Sequence, residues 1–169
     1  MGIADALREP RLEDVSIDGV DRIAIHRTVL EGKPMIRAVF EEFYRLVVFL
    51  DRRHFGDVPG MKVEIGAGVS MLKTLCPEAL ITDAVPAPHL DRTLDATDMD
   101  LPDGSVRALF GINCFHHLAG VRRFFRETLR VVAPGGGVIL IEPYFGPFAA
   151  FLYRRLFASE DFDTTREAW

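Results

Sequence analysis

The run Met61-Lys62-Val63-Glu64-Ile65 passes directly into Gly66-Ala67-Gly68, and no other junction narrows the folds open to the chain so far. A short buried strand ending in a glycine turn is the opening unit of an open α/β sheet. Upstream, Ile36, Val39, Phe40, Phe43, Val47 and Leu50 recur at helical spacing. Pro34 suits a first helical turn and Asp57-Val58-Pro59-Gly60 a stop, so residues 34–56 are expected to form one long amphipathic helix. Downstream, Ala79 to Thr82 is a second apolar run ending at Asp83. The link Val85-Pro86-Ala87-Pro88 is too short and too rich in proline for a crossover helix. Val106 to Ile112 reads as a further buried strand. A helix then follows, with an expected apolar face of Leu118, Val121, Phe125, Leu129 and Val132, and with Arg122, Arg123, Arg126 and Arg130 mostly on its other side. Pro134-Gly135-Gly136-Gly137 should break that helix, and Val138 to Ile141 should form a strand buried on both faces.

Strands alternating with helices predict an α/β fold with a doubly wound, mostly parallel sheet in a single domain. Residues 1–33 are weakly periodic and are expected to form a loose extension that packs on the domain or covers a site. Residues 61–143 form the core. Residues 144–169 hold one helix, Phe148 to Ser159, and a tail.

At 169 residues, 49% hydrophobic and 27% charged, the chain is long enough to bury one continuous core with a cleft beside it. Its formal charge of -5 supplies no general attraction to phosphate backbones, so nucleic acid is not the expected partner. Cys76 and Cys114 are too few for a disulfide framework and have no metal-ligand spacing. Both are expected to be buried small hydrophobes, with no metal bound and a reducing cytoplasm as the compartment. Residues 1–10 lack the pattern of a secretory signal, and Pro147 to Phe157 is too short and too charged to span a bilayer.

The glycine turn sits where an open α/β sheet receives its ligand. Without Cβ atoms, Gly66 and Gly68 let the backbone turn tightly and approach that ligand closely. A pyrophosphate loop has a third glycine, whereas here position 71 is Met, and Glu64 just before the turn repels phosphate but suits a cation. A sulfonium compound such as S-adenosylmethionine fits this acidic turn better than a dinucleotide. Asp83, at the second strand end, is placed to accept ribose hydroxyls. Asp95 is placed to accept from an adenine amino group, with Ala96 and Thr97 offering backbone groups to the ring. Either acid alone is read equally well as a residue that ends a strand and starts a turn.

Three ordered segments carry a resemblance: Glu64-Ile65-Gly66-Ala67-Gly68; Asp95-Ala96-Thr97-Asp98-Met99 with Leu101-Pro102-Asp103-Gly104-Ser105-Val106; and Leu129-Arg130-Val131-Val132-Ala133-Pro134-Gly135-Gly136. In order and spacing the chain resembles the class I S-adenosylmethionine-dependent methyltransferases, particularly the small-molecule group called methyltransferase type 11. The resemblance implies a methyl transfer to a small-molecule acceptor that leaves S-adenosylhomocysteine. It implies that Glu64, Gly66, Ala67 and Gly68 hold the methionine moiety, Asp83 the ribose, and Asp95 with Ala96 the adenine. Asn113 would line the methyl-transfer cleft. Ser70 replaces a common third glycine, and the last antiparallel strands of the family's sheet are expected to be missing.

His116 and His117 follow the fourth strand, where a neutral imidazole can take a proton from a hydroxyl or amine. The competing reading has one capping the next helix and the other packing, since adjacent side chains face different ways. Glu142 and Tyr144 leave the fifth strand and are candidates to orient a substrate. The aromatic residues Tyr144, Phe145, Phe148, Phe151, Tyr153 and Phe157 suit an apolar pocket wall, a core or an interface. The second functional reading is a cofactor-binding regulatory module that forms a homodimer through its exposed sheet edge.

Overall fold

The computed structural model describes residues 21–144 and 146–156. The expectations for residues 1–20, for Phe145 and for the tail beyond Leu156 lie outside the described residues, as do those for the side chain of Tyr153.

Two helices precede the sheet, α1 (Arg22–Glu31) and α2 (Pro34–Phe55). Pro34 opens α2, where its missing N–H is one of the helix's unpaired donors in any case. Part of the segment expected to be loose is therefore a helix, and it packs on α2. The sheet comprises β1 (Met61–Ile65), β2 (Leu80–Asp83), β3 (Arg92–Thr93), β4 (Val106–Ile112) and β5 (Val132–Ile141), in the order β3-β2-β1-β4-β5. Every pairing is parallel. The winding reverses between β1 and β4, which opens a crevice at their carboxyl ends. Helices α3 (Val121–Val131) and α4 (Pro147–Leu156) complete the described elements. No antiparallel strand follows β5 among the described residues, and none of their helices is long and apolar enough to cross a membrane.

Strand periodicity divides the core in two. Ala108, Phe110 and Ile112 of β4 face α2, packing with Tyr44, Val47 and Val48. Val63, Ile65 and Leu109 face the other way, against Phe124 and Val131 of α3 and the 94–101 segment. Glu64 alternates with Val63 and Ile65, so its carboxyl points toward α2.

Four details differ from the sequence expectations. Where the alternation of strands and helices would put a crossover helix after the glycine turn, the connection 66–79 holds only a 3-10 turn, Leu72–Thr74, and folds Leu72, Cys76 and Ala79 into the core beside α2. The buried face of α2 is Tyr44, Val47, Val48 and Asp51, while Ile36 and Val39 remain exposed. Helix α3 buries Phe124, Thr128 and Val131, leaving Phe125 half exposed and Leu129 84% exposed. Arg130 sets that phase, because it turns inward, donating to the Met99 and Leu101 carbonyls at 2.6 and 2.8 Å. Glu127 accepts the Met99 N–H at 2.8 Å beside it.

The fourth difference lies at residues 132–137. Helix α3 passes into β5 at Val132, ahead of the proline, and the Pro-Gly stretch forms a bulge where the register with β4 jumps from Val106↔Val132 to Ala108↔Gly137. Of Val138 to Ile141 only Ile139 is fully buried, since β5 has no neighbour on its outer side among the described residues.

Candidate active site

The carboxyl ends of β1, β2 and β4, together with α1 and the start of α2, enclose a cavity of about 640 Å³. That volume falls in the range of roughly 300–1,000 Å³ typical of small-molecule sites. Gly66, Ala67, Gly68, Asp83, Asp95, Ala96, Asn113 and His117 all line it. Glu64 and His116 do not.

Gly66 and Gly68 both take left-handed backbone conformations, φ 56° and 48°. A Cβ on Gly66 would stand 2.5 Å from Cys114 Cβ, whereas one on Gly68 would meet nothing within 4 Å. The first glycine thus lets the β1 and β4 turns pack together. The second leaves bare backbone on open space, a cradle that a side chain would fill. The Ala67 N–H donates to the Thr82 carbonyl at 2.9 Å, tying the turn to β2.

Asp83 is 4% exposed. Its Oδ2 accepts the Gly68 N–H at 2.8 Å and its Oδ1 the Val85 N–H at 2.9 Å. One carboxylate therefore holds two loops at the cavity rim, with lone pairs left for a ligand. The sequence reading missed His89, whose Nε2 lies 2.7 Å from the Gly68 carbonyl. A carbonyl only accepts, so Nε2 carries the hydrogen. A histidine in a proline-rich link carries no pattern that would have revealed this.

Glu64 sits behind the turn, 1% exposed. Its Oε1 accepts the Tyr44 hydroxyl at 2.9 Å and its Oε2 the Ser70 hydroxyl at 2.5 Å. Burial pushes its carboxyl up to about 7, against the pull of the Ser70 and Tyr44 hydrogen bonds. Ser70, at the position of the missing third glycine, is thus a partner of Glu64. Asp95 is exposed, and its Oδ1 accepts the Thr97 N–H and hydroxyl at 2.7 and 2.9 Å. It starts a turn and lines the cavity at once, so the two readings of this acid are compatible.

Asn113 has φ 52°, uncommon for a side chain other than glycine and tolerated best by residues such as Asn. Its N–H donates to the Ile141 carbonyl at 2.8 Å. Glu142 then braces the following turn: Oε1 accepts the N–H groups of Cys114 and Phe115 at 3.0 and 2.8 Å, and Oε2 lies 2.5 Å from His116 Nδ1. The two histidine rings are neighbours, 4.0 Å between centroids, so they do not simply face apart. Their surroundings still differ, since His116 is turned to Glu142 and His117 to the cavity. Burial pushes the Cys114 thiol up to about 12, with the Glu142, Glu64 and Asp83 carboxylates adding to the effect. Cys76 and Cys114 are both buried, as expected. Tyr144 is 88% exposed and lines no part of the cavity, and Phe148 and Phe151 are also exposed.

The sequence profile of the methyltransferase domain matches residues 71–140. A solved structure from Methanococcus maripaludis, provisionally assigned as an S-adenosyl-L-methionine-dependent methyltransferase, superposes with a TM-score of 0.55 at 15% identity, covering 85% of this chain and 74% of that one. Residues 71–140 are thus similar to the methyltransferase domain, and the chain shares its fold with that solved structure. Ajmaline N-methyltransferase of Rauvolfia serpentina is 40% identical to this chain over 47 residues, a stretch that spans 28% of the chain and 16% of that enzyme. The domain profile covers the second and third of the three ordered segments and begins just after the Gly66–Gly68 turn. That turn, Asp83, Asp95 and Asn113 converge on one cavity.

Proposed function

We propose that this domain binds S-adenosylmethionine in the cavity and transfers its methyl group to a small-molecule acceptor. What carries the reading is that the bare Gly68 backbone, Asp83, Asp95 and Asn113 face one another across a single cavity. Two carboxylates and a backbone cradle suit a ligand with hydroxyls, an amino-bearing ring and positive charge. Bound, the cofactor supplies an electrophilic methyl group on a sulfonium.

Asp83 accepts from the ribose hydroxyls while remaining fixed by Gly68 and Val85. Asp95 and the backbone of Ala96 hold the adenine, with Leu94 beside them. The Gly66-Ala67-Gly68 backbone receives the methionine moiety, and Glu64 supports that turn from behind through Ser70 and Tyr44. Asn113 stands at the strand end facing the acceptor. His117 accepts the proton released by a hydroxyl or amine acceptor, and His116 with Glu142 keeps the turn in place. Methyl transfer needs chiefly an aligned nucleophile, so positioning by these elements supplies much of the acceleration. Buried thiols suit the cytoplasm as its location. The reading as a regulatory dimerising module is not favoured.

The test is ligand-induced stabilisation followed by turnover. S-adenosylhomocysteine at a hundred times its dissociation constant should raise stability by about 2.7 kcal/mol, and NAD should leave it unchanged. Release of S-adenosylhomocysteine from S-adenosylmethionine in the presence of amine and hydroxyl acceptors then reports catalysis. A protein stabilised equally by NAD, or by neither compound, would overturn the assignment.

A further inference from the structure

The cavity has two chemically different sides. Asp83 and Asp95 stand at the sheet edge, and Arg22 and His26 stand on α1. The Nε of Arg22 is buried without a hydrogen-bond partner, and no carboxylate among the described residues pairs with this guanidinium. A buried donor on a charged group that is left unpaired is destabilising, a cost that a ligand acceptor would recover. The planar fork of a guanidinium matches a carboxylate or phosphate. His26, one turn along α1, is held below its usual value by burial and then by Arg22 itself, which leaves Arg22 as the fixed charge on this wall. Around it the wall is apolar, built from Ile23, Leu30, Ile36 and Phe40. Of these, Ile36 remains 40% exposed, as expected of a surface that contributes to a binding wall and not to the core.

On the reading of the cavity as a methyltransferase site, on which this inference rests, we infer that the α1 wall is the acceptor subsite. It takes an amphipathic acceptor whose oxyanion pairs with Arg22 and whose apolar body lies on Ile23, Leu30, Ile36 and Phe40. The acidic side of the cavity repels such an anion and the basic side attracts it, so the charge pattern also orients the acceptor with its apolar part toward the centre.

The cofactor's own carboxylate is the other source of an oxyanion, and the experiment separates the two. Full-length wild type, Arg22→Met and Arg22→Lys are first titrated calorimetrically with S-adenosylhomocysteine and with 5′-methylthioadenosine, which lacks the amino-acid part. Proteins saturated with S-adenosylhomocysteine are then titrated with 4-phenylbutyrate, phenyl phosphate and the neutral 4-phenylbutanamide. The expected result is S-adenosylhomocysteine affinity within about twofold of wild type in both variants. At least one anionic probe should bind wild type about tenfold or more tightly than the amide. That preference should vanish in Arg22→Met and persist in Arg22→Lys. An amide bound as well as both anions, or a preference that survives in Arg22→Met, overturns the inference. So does a tenfold loss of S-adenosylhomocysteine affinity in Arg22→Met with 5′-methylthioadenosine unaffected, since Arg22 then belongs to the cofactor. Failure of wild type to bind S-adenosylhomocysteine removes the methyltransferase reading instead, a different outcome from loss of the anion preference.

Discussion

The hydroxyl of Tyr44, on α2, donates to Oε1 of Glu64, on β1, across 2.9 Å of buried space. This contact joins the helix ahead of the sheet to the strand that ends in the glycine turn, and it makes the turn sensitive to the charge on Glu64. The folded protein holds the Glu64 proton up to about pH 7, whereas the ordinary carboxyl value is 4.5. Between these values the native state keeps a proton that the unfolded chain has lost, so the stability contributed by Glu64 falls as pH rises. Over that window the fall amounts to roughly 3 kcal/mol, at about 1.4 kcal/mol per pH unit. Glu64→Gln should abolish it: urea midpoints of wild type and variant should converge or cross between pH 4.5 and 7, and parallel curves would refute the assignment.

The two glycines of the turn should fail in different ways. Gly66→Ala places a Cβ 2.5 Å from Cys114 Cβ and also strains φ, so a loss of several kcal/mol in unfolding stability is expected, more than the roughly 1–3 kcal/mol of backbone strain alone. Gly68→Ala meets no protein atom. It should lose only the strain term while weakening S-adenosylhomocysteine by at least about tenfold in calorimetry. Equal stability losses with unchanged ligand affinity would mean that the Gly68 backbone touches no ligand.

Asp83, at the end of β2, and Asp51, on α2, are both buried acids and should separate binding from stability. Asp51 is 1% exposed and pairs with Arg107 through Nε at 3.0 Å and Nη2 at 2.5 Å. Breaking such a pair from one side costs about 3–5 kcal/mol. Asp51→Asn should therefore lower the melting temperature sharply and leave S-adenosylhomocysteine affinity unchanged in the protein that remains folded. Asp83→Asn keeps an acceptor for one loop N–H but removes the charge, and a tenfold or greater loss of affinity with a smaller stability change is expected.

Glu142 braces the turn that carries Asn113 and His117 without lining the cavity itself. Glu142→Ala leaves the Cys114 and Phe115 amides without their acceptor, at about 1–3 kcal/mol of stability. S-adenosylhomocysteine affinity should fall as the turn loosens, and Glu142→Gln, which retains an acceptor oxygen, should recover most of it. Histidine NMR should show the His116 ring resonances displaced in both variants. An unperturbed His116 spectrum would exclude the bracing contact.

Much of this is legible in the sequence. The strand at Met61–Ile65, the glycines that follow it, Asp83 at the end of β2 and the irregular proline link each follow from local chemistry: apolar runs, missing Cβ atoms and fixed proline φ act within a few residues of where they are written. Helix phase was not legible to the same degree. In α3, Phe124 and Phe125 offer two apolar stripes one position apart, and the choice fell to Arg130 and Glu127, which bond the 99–103 segment and rotate the helix around those contacts.

The same division runs through the candidate site. Residue type and order alone determined that the chain forms a parallel α/β sheet with a glycine turn and acids at its strand ends, because period, turn preference and charge are properties of short segments. Only the tertiary structure decided that Glu64 lies behind the turn in the grip of Tyr44 and Ser70, that His89 holds Gly68, and that Arg22 of α1 faces the same cavity as Asp83. Those relations join residues far apart along the chain, and their partners are chosen by how whole elements pack, which no local pattern encodes.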